Sequence, residues 1–189
     1  MRKSARVITE KLGTETGIKA RLVVHGNQEK FPARTDSPMV KKSSMRMQLA
    51  LAAQNKWKVR TADVTAAFLQ SNMLSRDVFV KPVKEADAQG KLWRLLKPMY
   101  GLGDSSRQWY LTIAENLKQL GCKRLDTDHA VFYFKEHGRL KGIITMHVDD
   151  LCISGNAEFD ERVMKPILNI FKFGSITEDE RFALLGWNS

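Results

Sequence analysis

Residues 130–155 read AVFYFKEHGRLKGIITMHVDDLCISG, and the fold turns on this stretch. Two apolar runs, 130–134 and 142–148, flank His137-Gly138, a pair suited to a turn, so residues 130–148 predict a β-hairpin. The return run is apolar without alternation, the pattern of a strand covered on both faces. Asp149-Asp150 follows at once, and then a second apolar run from Leu151 to Gly155. Two adjacent carboxylates repel each other and sit poorly beside a core. Either they occupy a solvated turn, where aspartate is common, or they share a cation.

Upstream, Ile18–Val24 alternates apolar and basic residues and predicts a strand with one buried and one basic face. Gly26-Asn27 ends it in a turn, and 27–42 reads as a loop. Ser43 or Ser44 then caps a helix over about 45–55 with Met45, Leu49 and Ala52 inward. Strands are expected at 57–64, 78–80 and 92–96, with a tight turn or short helix at 66–69. Gly101-Leu102-Gly103 breaks the chain, and Ser105 or Ser106 caps a helix ending at Gly121 with Trp109, Ile113, Leu117 and Leu120 as its stripe. A last helix, 157–171, carries Phe159, Val163, Ile167 and Phe171 on one face, kinked or restarted by Pro166; Phe182–Leu185 reads as a short strand. Hairpins without regular βαβ alternation predict an α+β fold with helices on one face of an antiparallel sheet.

The composition is that of a globular protein: 43% hydrophobic and 28% charged over 189 residues. No apolar run approaches the roughly 20 residues that cross a bilayer, and no apolar core follows the basic start, so neither a membrane span nor a secretory leader is expected. Two cysteines, Cys122 and Cys152, build no disulfide framework, and reduced thiols inside a cell are the expectation. The net charge is +10, of which residues 1–46 hold +7. A basic lobe on a nearly balanced body suits a polyanion partner, or is a solvated surface that keeps the chain soluble.

One further carboxylate raises the interest of the acidic pair. Asp63 ends another apolar strand, and if that strand neighbours the hairpin, Asp63 meets Asp149 and Asp150 at one sheet edge. Such an oxygen cluster suits hard cations, and two of them about 3.5–4 Å apart serve phosphoryl or nucleotidyl transfer. No other site competes. The four histidines lack metal-ligand spacing, and there is no GxxxxGK[ST] or GxSxG motif.

The strings KARLVVHGNQ, DSP, ADVTAAFLQSNM with VFVKP, LWRLLKPMYGLGDSSRQWY and HVDDLCISG occur in this order over about residues 17–155, with FKFG and ALLGW near the end. Together they resemble the reverse transcriptase of copia-type LTR retrotransposons. The resemblance implies a polymerase right hand whose palm is a ferredoxin-like antiparallel sheet with flanking helices. Residues 1–189 would form a partial domain, with about 1–60 and 70–105 as fingers-like segments and about 57–69 and 106–189 as palm. Thumb and RNase H would be missing, so the chain would be a piece of a polyprotein, an exon of a larger gene or a decayed copy of an element.

The resemblance also assigns roles. Asp63, Asp149 and Asp150 would be catalytic and hold two Mg²⁺ ions, with Mn²⁺ as a substitute. Lys19, Arg21, Phe68 and Gly101 would bind the dNTP: Phe68 under the sugar or else in the core, Lys19 and Arg21 near the triphosphate or else as ordinary surface charges. Tyr100-Gly101 would lie against the incoming base pair, and His147 and Val148 would lie in the active-site hairpin near the primer. The partners would be an RNA/DNA primer–template and dNTPs, and the location intracellular, in a cytoplasmic virus-like particle or the nucleus. The sequence departs from the family in two places. His147 stands where tyrosine is usual, and Gly103-Asp104-Ser105-Ser106-Arg107 stands where Lys-Gln-Ala-Pro-Arg is common. A polymerase domain, an inactive nucleic-acid-binding remnant and another two-metal enzyme such as a nuclease are the three readings these residues leave.

Overall fold

The computed structural model describes residues 2–10, 18–25, 34–83 and 91–178, with backbone alone for 2–10 and 18–20. The chain divides into two compact units, one of Met1–Asp36 with Phe68–Trp109 and a larger one of Ser37–Ala67 with Tyr110–Ser189.

The larger unit is built on the hairpin. Strands β7 (Asp128–Glu136) and β8 (Arg139–His147) pair antiparallel through Val131↔Thr145 and Phe132↔Ile144, and β8 turns back into β9 (Asp150–Gly155). Residues 142–146 and 151–155 are buried throughout, because both faces of this part of the sheet are covered. β3 (Lys58–Val64) lies beside β9, β10 (Phe173–Glu178) beside β3, and the three-residue β6 (Lys123–Leu125) beside β7. The resulting six-stranded order is β10-β3-β9-β8-β7-β6, with every neighbouring pair antiparallel.

The helices cover two faces, not the single face expected. Cross-strand partners share a face. Thr145 and Ser154 touch Gln48 of helix α1 (Lys42–Gln54), whereas Gly142 and Gly155, one residue along, face the Phe159 ring. A Cβ on either glycine would overlap that ring, so this glycine pair forms the slot in which the fully buried Phe159 sits. Phe159 ends helix α4 (Ala157–Phe159), which Asn156 caps through its side chain by accepting the Phe159 N–H at 3.0 Å. The chain then widens into a π-helical turn, Asp160–Met164, and tightens again as α5 (Lys165–Ile170), with Pro166 in its first turn. Phe159, Val163, Ile167 and Phe171 are all buried, as the stripe required; the restart at Pro166 follows from its missing N–H.

Helix α3 (Ser105–Gln119) buries Trp109, Ile113 and Leu117, leaves Leu120 half-buried, and is closed by Gly121 at a φ of +87°. Ser105 is its first residue, and the Asp104 carbonyl takes the Gln108 N–H at 2.9 Å. Helix α1 starts three residues earlier than expected. Lys41, not a serine, is at its N-cap, and the remote Asp128 carboxylate accepts the Lys41 N–H at 2.9 Å. Its inward face is Ser44, Met45, Gln48 and Ala52, while Leu49 is half-buried.

The smaller unit has a four-stranded sheet, β2-β1-β4-β5, of β1 (Arg2–Glu10), β2 (Ile18–Val24), β4 (Val78–Lys81) and β5 (Trp93–Leu95). β1 and β4 run parallel, an exception to the antiparallel expectation. Val24, Val78, Val80 and Leu102 form its core, with Leu74, Leu95 and Met99 packed on it. Between β3 and β4 lies the one-turn helix α2 (Ala67–Gln70). The expected turn at 26–27 and strand at 182–185 lie outside the described residues.

Candidate active site

The three aspartates are brought to one edge of the larger sheet. β3 and β9 pair antiparallel from Lys58↔Gly155 to Asp63↔Asp150, so the last residues of this ladder are the two carboxylates. Beyond it, the Val64 N–H donates to the Asp149 carbonyl at 3.1 Å, which ties the β8–β9 turn to the end of β3. Asp63 is exposed, and Asp149 and Asp150 are half-buried.

The charges respond to this crowding. Burial pushes the Asp150 carboxyl above the usual carboxylate range, and the neighbouring Asp149 and Asp63 charges push it the same way; His147, its partner in the β8–β9 ladder, pulls it down. The turn residue Val148 has a φ of +59°, left-handed backbone that a β-branched side chain rarely adopts. Gly174, in the β-bulge of β10, leaves room beside the first aspartate: a Cβ there would come 3.1 Å from Asp63 Oδ2 and 3.0 Å from Thr65 Oγ1. Sequence reading passed over this glycine, although a glycine within a strand signals a bulge or a close approach.

An all-oxygen set with mutual repulsion has the chemistry of a hard-cation site. Among the described residues, however, no three His, Cys, Asp or Glu side chains converge closely enough to hold a metal ion as they stand. The three carboxylates share one end of the β3–β9 ladder and have the oxygen chemistry a hard divalent cation takes, but in this geometry they do not converge on one point.

In the smaller unit a second group of expected residues comes together. The Phe68 and Tyr100 rings lie 4.8 Å apart and tilted by 55°, and the Arg21 guanidinium stands 5.3 Å from the centre of the Tyr100 ring. The Tyr100 carbonyl accepts the Val24 N–H at 2.8 Å, so the turn at residue 100 is fastened to β2. Gly101 has a φ of +90°, and a Cβ there would collide with the Val24 carbonyl. Lys19 pairs with Thr9 in the β1–β2 ladder.

The departure at residues 103–107 has a structural account. Asp104 is buried and paired with Arg76 at 2.6 Å, and the Ser105 hydroxyl donates to the Met99 carbonyl at 2.7 Å. Arg107 bonds both the backbone and the carboxylate of Asp36. These contacts hold the start of α3 against the residue-100 turn.

Residues 5–184 match the family described as reverse transcriptase (RNA-dependent DNA polymerase). The chain is 32% identical over 161 residues to the retrovirus-related Pol polyprotein from transposon RE1 of Arabidopsis thaliana, covering 79% of the chain. It is 33% identical over 145 residues, 72% of the chain, to the Pol polyprotein from transposon TNT 1-94 of Nicotiana tabacum. It is 28% identical over 179 residues, 89% of the chain, to the Ty1-MR1 Gag-Pol polyprotein of Saccharomyces cerevisiae. These matches span only 10 to 11% of the relatives' own length.

Proposed function

The chain belongs to the copia-type reverse transcriptase (RNA-dependent DNA polymerase) family, and from that we propose that it is the nucleotidyl-transfer portion of a retrotransposon Pol polyprotein. The larger unit would serve as palm and the smaller as fingers. The observation that carries the reading is the ladder ending on Asp63↔Asp150 with Asp149 in the adjoining turn.

Asp63, Asp149 and Asp150 would hold Mg²⁺, in two ions, with Mn²⁺ as a substitute. The ions held there would supply a lowered pKa for the attacking hydroxyl and charge neutralisation for the leaving pyrophosphate. The reaction joins the primer 3′-oxygen to the α-phosphorus of a dNTP, breaks the bond to the β-phosphate oxygen, and releases a proton and pyrophosphate. The chain's own residues orient the parts. The backbone tie between Val64 and Asp149 keeps the turn at the β3 edge, and His147 offsets part of the repulsion at Asp150. Val148, at the tip of the hairpin, would lie near the primer end.

In the smaller unit Arg21 and Lys19 would meet the triphosphate, and the Phe68 ring would stand under the sugar. Packing of Phe68 on Tyr100 supports a fixed ring able to exclude a 2′-hydroxyl. Gly101, whose missing Cβ lets its backbone close on β2, would stand beside the nucleotide. The basic balance of +10 suits a primer–template. Among the described residues no helix is long and apolar enough to cross a membrane.

Primer extension on an RNA template with Mg²⁺ and dNTPs tests the reading. Extension by this chain, or by this chain joined to its downstream region, should fall at least about 100-fold in Asp149→Asn with primer–template binding kept. Extension that survives Asp149→Asn would remove the carboxylates from the chemistry. Hydrolysis of labelled duplex without dNTP use would replace polymerase by nuclease.

A further inference from the structure

We propose that Gln48 is a positioning residue of the β8–β9 hairpin, tying its two strands together from α1 and thereby setting where Asp149 and Asp150 stand. The inference rests on the polymerase reading for its functional consequence and on geometry for its substance.

Gln48 is fully buried, at 0% exposure, on the inward face of α1. A buried amide is unfavourable unless its donors and acceptor are all met, and an apolar residue would fill the same space at no such cost. Here they are met, and by both strands of the hairpin. Nε2 shares its two N–H groups among three acceptors, the Ile143 carbonyl at 3.2 Å on β8 and, on β9, the Cys152 carbonyl at 3.1 Å and Ser154 Oγ at 3.2 Å. Oε1 accepts from Thr145 Oγ1 at 2.7 Å, again on β8. Carbonyls can only accept, so the orientation of the amide is fixed.

The place of these contacts matters. Thr145↔Cys152 is the ladder pair two residues in from His147↔Asp150, where the turn begins. The ladder alone would form the hairpin; the amide fixes its plane against α1. Helix α1 is itself fastened to the sheet, through Val40 N–H to the Met146 carbonyl at 3.1 Å and Lys41 N–H to Asp128. The turn beyond holds Val148 at positive φ. A strained turn persists where its surroundings over-determine it, and the Gln48 clamp acts with the Val40–Met146 bond as such a constraint from the α1 side.

The test compares the whole chain with Gln48→Met, which keeps volume and removes the amide, and with Thr145→Val, which leaves the amide in place and removes its anchor. Leu49→Ala is the control for loss of α1 packing. Amide hydrogen exchange without metal should quicken at residues 146–151 about tenfold or more in Gln48→Met and less in Thr145→Val, with residues 110–136 unchanged. In single-turnover extension the rate should fall in the same order at an unchanged KM for dNTP. Exchange in Gln48→Met no faster at the hairpin than in Leu49→Ala, at equal loss of Tm, would overturn the proposal. So would a uniform quickening across the unit. If Gln48→Met fails to fold, the exchange pattern of Thr145→Val decides. A wild-type chain that binds primer–template yet never extends it, even joined to its downstream region, would sink the polymerase reading while the exchange arm still decides the role of Gln48.

Discussion

Phe68 is half-buried and held in tilted contact with Tyr100, whose neighbours include Arg21 and, through the backbone, Val24. Aromatic rings in tilted contact lose little further freedom when a ligand arrives, so a ring so placed can act as a rigid wall. Phe68→Ala should therefore lower the preference for dNTP over rNTP, in kcat/KM, by about tenfold or more while primer–template affinity stays the same. Competition between the two nucleotides on one primer measures it, and an unchanged ratio would return Phe68 to a packing role. At this scale the sequence was informative for residue types and blind to neighbours. Asp63, Asp149 and Asp150 stood out because carboxylates beside apolar runs need a reason, but only the register of β3 on β9 places Asp63 opposite Asp150. Gly174 was passed over because no strand was expected around it, and its nearness to Asp63 shows only in the β10–β3 pairing.

Among the elements, β7, β8 and β9 were legible because they are long, apolar and bounded by turn residues, and α3 and the 157–171 segment because their stripes are strong. β10 was not, since it is an edge strand with exposed residues from Gly174 to Glu178 and no buried alternation to read. β6 has three residues, and β1, RKSARVITE, opens with charge instead of alternation. The inward face of α1 was misjudged at Leu49 because a polar Gln48 carries the burial. The residue-100 turn shows the same limit. Its support is the buried Asp104 carboxylate and Arg76, 28 residues apart in sequence. Arg76→Met should destabilise the chain by about 3 kcal/mol, because it strips the main charge partner from a buried carboxylate. Adding Asp104→Asn should recover part of that loss, and urea midpoints of the two single variants and the double variant would show it. Simple additivity would mean that the pair does not act as a pair.

For the whole molecule, charge and core are unevenly shared. Residues 1–46 hold +7 of the net +10, so primer–template affinity should fall steeply with salt, whereas among the described residues most of the buried strand positions lie in the larger unit. Both cysteines report on that unit. Burial pushes the Cys122 thiol up to about 12 and the Cys152 thiol up to about 11, against 9.0 for a free thiol, with the neighbouring Thr145 hydroxyl partly opposing the rise at Cys152. The reactive species is the thiolate, so a raised pKa and lack of access both suppress reaction at neutral pH. Modification at pH 7.5 should then proceed only through opening, and its rate should rise with urea along the slope of global unfolding. The sign of the pH effect follows from the same shifts. Folding holds both thiols protonated, so their contribution to stability is whole below pH 9.0 and is lost as pH rises through about 11 for Cys152 and about 12 for Cys122. The two sites lie on different elements, Cys122 just before β6 at one sheet edge and Cys152 in the central β9. Equal urea dependence at both would show that the sheet opens as one unit. Faster reaction at Cys122 with a shallower dependence would show the β6 edge opening alone, with the strands that carry Asp63, Asp149 and Asp150 still closed.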